Sequence, residues 1–204
     1  YFDRVGKFVG ADPLKKYRNF AILQLAEKLK KGENVLVIDH NIGGGANIYR
    51  NRAIKKWLEE DDCILVLQHQ GEMPRLFVQL FFRQYKIGFS LGDVNEIQDL
   101  LEPWFKVDRI FINNLVSFAK PYLLLELIEK IKKQFDSKLI VPVHDYFPLC
   151  PSYNLINNEG DFCEVPSNIH ECKDCISKVN YIPIASRDIE KWRVAWGQVM
   201  DISD

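Results

Sequence analysis

Apolar side chains recur along this chain in two rhythms, one helical and one of short unbroken runs, and the two rhythms alternate over most of its length. Asp12-Pro13 predicts the cap and first turn of a helix whose apolar positions Leu14, Tyr17, Ala21, Leu25 and Leu29 share a face, closing at Gly32. "NVLVID" (34–39) is a β-branched run of the buried-strand kind. It leads through "HNIGGGA" into a helix, starting near Ala46, with Ala46, Tyr49, Ala53, Ile54, Trp57 and Leu58 on one side. "CILVLQH" (63–69) predicts a second apolar strand, and "RLFVQLFF" and "YKIGFSL" predict two more, joined as a hairpin around Arg83-Gln84.

Asp93 and Glu96 have the spacing of a capping box before a short helix carrying Ile97, Leu100 and Leu101. "RIFINNL" (109–115) reads as another buried strand. Pro121 opens a helix with Leu124, Leu127, Ile128, Ile131 and Phe135 on its face, and "KLIVPVHD" (138–145) reads as a strand ending in polar residues. A loop over 146–180 follows, and Ser186 is expected to cap a closing helix over 186–200.

Strands alternating with helices, most of the strands apolar throughout, imply an α/β fold with a Rossmann-like, doubly wound, mostly parallel sheet. Added to it are a cysteine-rich loop (146–180) and an N-terminal helical segment (1–32), which packs on the domain formed by 33–204. There is no internal repeat, no low-complexity tract and no linker before residue 146.

Composition narrows the partners. With 47% hydrophobic residues the chain has material for a real core. Its 27 Lys+Arg against 28 Asp+Glu give a net charge of −1, scattered rather than massed, so nucleic acid is not indicated and a small or neutral ligand fits better. No apolar run approaches the roughly 20 residues of a membrane span, and "YFDRVGKF" is not a signal peptide. The expected location is the cytoplasm, with peripheral contact at the inner face of the membrane compatible with it. A first residue that is not Met, and an end at "WGQVMDISD" without a terminating element, suggest a piece of a longer polypeptide.

In a doubly wound sheet, ligands bind outside the carboxyl ends of the strands, and Gly43, Gly44 and Gly45 occupy the first strand-to-helix turn at that edge. Glycine there permits positive φ and close approach to the backbone amides, and the following helix offers unpaired N–H groups and a positive dipole end to a phosphate or a sugar hydroxyl. The bland alternative is a tight turn that lets helix and strand pack closely. The pattern is G-G-G-A rather than G-x-G-x-x-G, and "LVLQHQ" ends the second strand without the acid that a dinucleotide site or a Rossmann-type methyltransferase would want. His144 and Asp145, after "KLIVPV", are expected at the same edge, the imidazole facing a bound sugar and the carboxylate fixing its tautomer or accepting a bond itself. A strand-end histidine bonded to a neighbouring carbonyl is the plainer reading. His40 has a lesser claim of the same kind, and Arg50 and Arg52 are expected to face solvent.

Four of the five cysteines fall in "CPSYNLINNEGDFCEVPSNIHECKDC", spaced C-x12-C-x8-C-x2-C. Cys150, Cys163, Cys172 and Cys175 suit a closed, structural tetrahedral zinc site stapling a polar loop; an iron–sulfur cluster or plain reduced thiols would show the same spacing. Cys63, inside a strand, is expected in the core.

The strand running into "HNIGGGA", the later strand running into "HDYFPLCPSYNL", the "GDFC" and "CKDC" segments and the "EKWR" helix together resemble bacterial glycosyltransferases of the large family that includes sucrose synthase and mannosyltransferases. The resemblance covers about residues 34–200 and corresponds to the N-terminal, acceptor-side half of a two-domain GT-B enzyme. It implies that Gly43, Gly44 and Gly45 approach the diphosphate of a nucleotide-sugar donor and stabilise charge on the departing nucleotide, and that His144 contacts the donor sugar. It implies further that most of the nucleotide grip belongs to a C-terminal domain absent from this text, so that the chain alone is inactive. The family points to a retaining transfer onto a glycan or lipid-linked acceptor in surface polysaccharide synthesis. A competing reading is a metal-stapled module without catalysis, holding carbohydrate or protein on Tyr146, Phe147 and Tyr153.

Overall fold

The computed structural model describes residues 13–69, 76–92, 94–180 and 182–204; the side chains of 13–20, 99 and 102–104 are not among those described. Helix α1 spans Pro13–Leu29, β1 Asn34–Asp39, α2 Gly45–Glu59 and β2 Cys63–His69. They are followed by β3 Leu76–Phe82, β4 Tyr85–Leu91, α3 Asn95–Trp104, β5 Arg109–Ile112, α4 Pro121–Phe135 and β6 Lys138–Ile140, and the chain closes with α5 Ile169–Lys178 and α6 Ile189–Asp201.

The six strands form one α/β sheet in the order β4-β3-β2-β1-β5-β6. β1 pairs in parallel with β2 (Val37 opposite Val66) and with β5 (Val37 opposite Phe111), and β5 pairs in parallel with β6. β3 and β4 join as the antiparallel hairpin on one edge. Every residue of β1 and β2 is buried, as strands covered on both faces require, whereas β3 alternates buried and half-buried positions.

Alternate side chains go to opposite faces. Val35, Val37, Ile64, Val66 and Phe111 meet Ile54 and Trp57 of α2. Leu36, Ile38, Leu65, Leu67, Ile110 and Ile112 join the larger core completed by α1, α3, α4 and α6. Large side chains buried this completely, such as Trp192 (0% exposed), contribute on the order of 1.5–3 kcal/mol each. The β1–α2–β2 crossover steps one way across the sheet and the β5–α4–β6 crossover steps the other. The direction of winding therefore reverses between β1 and β5, an arrangement compatible with a Rossmann-like fold.

Several elements differ from expectation. α1 buries Leu23 and Ala26 and leaves Leu25 (54% exposed) and Leu29 (46%) outside. The helix has two adjacent apolar stripes, and packing on the sheet, not periodicity, selects one. β6 ends at Ile140, because Pro142 lacks the N–H a ladder needs. Beside it Asp204 takes up the strand edge, its N–H donating to Leu139 O at 2.8 Å and its carboxylate accepting from Leu139 N at 2.7 Å. The 146–180 region is not all loop, since α5 carries Cys172 and Cys175 in its first two turns, capped by Asn168. Asp188, not Ser186, caps α6 by accepting from Lys191 N, while Ser186 Oγ accepts from Asp188 N. Glu96 accepts from Gly92 N; Asp93, the other half of the expected capping box, lies outside the described residues. Among the described residues no helix is long and apolar enough to cross a membrane.

Candidate functional site

The carboxyl ends of β1 and β5 are held together where the winding reverses: Ile38 O accepts from Asn113 N at 2.8 Å and from Asn114 N at 3.4 Å. Just beyond, the chain turns through Gly43 (φ 96°) and Gly44 (φ 85°) into α2. Those two angles lie in the region that glycine alone enters freely. Gly45 is different. Its φ is not positive, and among the described residues beyond the chain neighbours a Cβ at Gly43, Gly44 or Gly45 would meet no atom within 4 Å. Close packing against the described residues is therefore not the reason for the triplet. Gly44 supplies no side-chain cap, and no acidic residue stands in the first turn of α2.

Beneath the loop lies a buried polar cluster. Asp39, fully buried, accepts from Arg50 Nη1 at 2.7 Å and from Asn47 Nδ2 at 3.3 Å. His40 O accepts from Asn47 Nδ2 (3.1 Å), Arg50 Nη1 (3.3 Å) and Gln68 Nε2 (3.3 Å). Arg50 is thus a buried partner of β1 and not the solvent-facing charge expected, whereas Arg52 is exposed. Burial pushes the Asp39 carboxyl above its ordinary range, against the pull of Asn113, Arg50 and His40. It pushes His40 below its ordinary value, with Asp39 working the other way. His40 is itself buried, its Nδ1 accepting from Ile42 N at 3.1 Å, which makes it a brace of the loop. Cys63 sits in the core as expected, its thiol pushed up to about 12 by burial.

His144 is exposed at the same edge. Its Nε2 lies 3.0 Å from Asn113 Oδ1, and Asn113 Nδ2 donates to Ala46 O at 3.0 Å, in the first turn of α2. The His144 ring also meets Tyr49, one turn into α2, edge-on at 5.0 Å between centroids. The structure therefore brings together the end of β6, the end of β5 and the helix that the glycine loop opens. Asp145 does not orient His144; it accepts from Asn114 Nδ2 at 2.7 Å and from Phe147 N at 2.9 Å, fixing the turn that follows. The orienting residue is Asn113. Sequence reasoning placed Asn113 and Asn114 inside a strand, and the signal available was two adjacent side-chain amides at the carboxyl end of an apolar run.

Beside His144 lies a largely apolar groove of about 650 Å³ lined by Val143, Tyr146, Leu149, Arg193, Trp196 and Met200. Of the aromatics expected to hold a partner, Tyr146 is exposed and stands 6.2 Å from Phe162, Phe147 is buried against Trp192, and Tyr153 is half-buried.

All four clustered cysteines line a single cavity of about 390 Å³, and none forms a disulfide. Burial raises the Cys175 thiol, with Cys150, Cys163 and Cys172 adding to the effect. As they stand, no group of three or more His, Cys, Asp or Glu side chains among the described residues is assembled to hold a metal ion.

Fold and edge together define an α/β protein whose glycine loop, Asn113 and His144 meet at the winding reversal of its sheet. No family model matches the chain, and no curated protein or solved structure does so either.

Proposed function

We propose that the chain is the acceptor-side half of a nucleotide-sugar glycosyltransferase of the GT-B kind. The observation that carries this reading is the meeting, through Asn113, of a glycine-entered helix N-terminus without a side-chain cap and an exposed imidazole at one edge of the sheet. Amides and dipole suit the donor diphosphate, and the imidazole suits a sugar hydroxyl. In the transfer, a bond forms between the acceptor oxygen and the anomeric carbon while the bond from that carbon to the diphosphate breaks, and the nucleoside diphosphate leaves with the electron pair. The acceptor proton passes to the departing phosphate oxygen. The loop amides of Gly43, Gly44 and Gly45 offset the charge that develops there, and His144 positions the sugar. Retention, a glycan or lipid-linked acceptor, surface polysaccharide synthesis and a C-terminal domain providing most of the nucleotide grip follow from the motif resemblance.

Among the described residues no acid stands at the end of β2, where Gln68 is turned to His40 O, so they do not favour a methyltransferase. The test is ligand-observed NMR on the purified chain with UDP-glucose, GDP-mannose and S-adenosylmethionine. Saturation transfer to a nucleotide sugar, competed by free nucleoside diphosphate, supports the reading. Transfer to S-adenosylmethionine alone overturns it in favour of a methyltransferase, and no transfer to any of the three favours the non-catalytic module.

A further inference from the structure

The four cysteines come from three separate stretches of chain: the turn after β6 (Cys150), the segment after the Ile156–Phe162 bridge (Cys163), and α5 (Cys172, Cys175). Their facing one cavity is a long-range arrangement that the local sequence does not require. We propose that Cys150, Cys163, Cys172 and Cys175 bind one structural zinc ion, and that this ion holds the loop carrying His144 and Asp145 in position.

Three features support the site. The backbone between the cysteines is strained, with Tyr153 (φ 56°), Leu155 (54°), Glu164 (51°) and Val165 (54°) all in the left-handed region. Side chains there cost on the order of 1–2 kcal/mol each, most for β-branched Val165, and such conformations persist only where something over-determines them. Four metal–thiolate bonds would do so. The charge is also provided for, because four thiolates around a divalent ion leave two net negative charges. Arg193 Nη2 donates to Cys172 Sγ at 3.3 Å, and the N-terminal end of α5 adds its positive dipole. Finally, the cavity leaves the thiols room to turn inward to the roughly 2.3 Å zinc–sulfur distance that the present spacing does not yet provide. Ligation and closure of the site are then one event, as in small metallo-domains.

The link to the candidate site runs through α6. Arg193, besides meeting Cys172, donates through Nε to Leu149 O at 3.0 Å, and Trp192 Nε1 donates to Phe147 O at 2.7 Å. Cys150 N donates to Tyr146 O at 2.8 Å, closing the turn that Asp145 opens. A metal on Cys150 and Cys172 would clamp the far end of this turn, directly at Cys150 and through Arg193 at Leu149.

The inference stands apart from the glycosyltransferase reading, because metal content does not depend on nucleotide-sugar binding. The full chain, produced in zinc-supplied medium and purified without metal resin, should carry equimolar zinc by elemental mass spectrometry. Cys172→Ser and Cys175→Ser should lower it to less than about a tenth. If those variants do not fold, mercurial titration of the wild type should release equimolar zinc to a colorimetric chelator. Absence of zinc, iron with visible absorption, or full zinc retention in Cys172→Ser would each overturn the site. The His144 ring resonances should shift on zinc removal, and rings indifferent to zinc would overturn the clamp.

Discussion

The side chain of Asn113 faces His144 with its oxygen and Ala46 with its nitrogen, each contact 3.0 Å long. A carbonyl such as Ala46 O takes only a donor, so the orientation of the amide is determined and Oδ1 is left to accept from His144. The neutral imidazole therefore carries its proton on Nε2 and presents Nδ1 as an acceptor. One buried amide (Asn113 is 2% exposed) thus relates the tautomer of the late histidine to the first turn after the glycine loop.

Asn113→Leu tests that relation. It removes the partner of Ala46 O, which is half-buried, and of His144 Nε2, which is exposed and can turn to water, so the loss is that of ordinary hydrogen bonds, about 0.5–1.5 kcal/mol. The urea midpoint should fall accordingly, and binding of a nucleoside diphosphate should weaken. A variant as stable as the wild type, with unaltered His144 resonances, would show that the amide links nothing.

The buried pair of Asp39 and Arg50 makes a larger claim. Arg50→Met strands a carboxylate that is 0% exposed, and removing one partner of such a pair costs about 3–5 kcal/mol. Asp39→Asn combined with Arg50→Met should recover a substantial part of that loss. Denaturant unfolding of the four forms of the cycle measures it; a loss in Arg50→Met below about 1 kcal/mol would mean the pair is not a support of the loop.

His69 gives the pH dependence. Burial holds its pKa below the ordinary 6.5, and neither ring nitrogen has a hydrogen-bond partner among the described residues. The unfolded chain then takes up the proton more readily than the folded one. The stability contribution is complete above about pH 6.5 and is lost as pH falls toward the depressed folded value. Asp39, shifted upward, has the opposite sign: its contribution is present below 3.8 and is lost as pH rises through the raised value. His69→Phe should therefore flatten, without abolishing, the fall in melting temperature between pH 7 and 5, His40 supplying the remainder. An unchanged slope would contradict the assignment.

The sheet was largely legible in the sequence because β1 and β2 are unbroken apolar runs, and only strands covered on both faces tolerate that. The hairpin was legible from two such runs and a short turn. Arg50 was not, because its burial depends on Asp39, a residue of another element that becomes its neighbour only in the fold. Nor was the core stripe of α1, where Leu23 and Ala26 compete with the equally periodic Leu25 and Leu29. At the site, the glycines and His144 stood out by type. Asn113 did not, since a strand-end amide becomes informative only when its two partners are in place.

Gly45 tests the central claim most directly. Its φ is not positive and a Cβ there meets none of the described residues beyond its chain neighbours, so Gly45→Ala should leave the melting temperature unchanged or raise it, alanine being the better helix former by about 1 kcal/mol. Gly44→Ala, at φ 85°, would confound strain with binding. The measurement is an amide and imidazole NMR titration of the wild type and Gly45→Ala with uridine diphosphate. The account predicts that the amides of Gly45, Ala46 and Asn47 and the ring of His144 shift along one saturating curve, and that Gly45→Ala weakens it without unfolding. Amide shifts that leave His144 unmoved, or a Gly45→Ala variant that binds as the wild type does, would contradict a shared crevice.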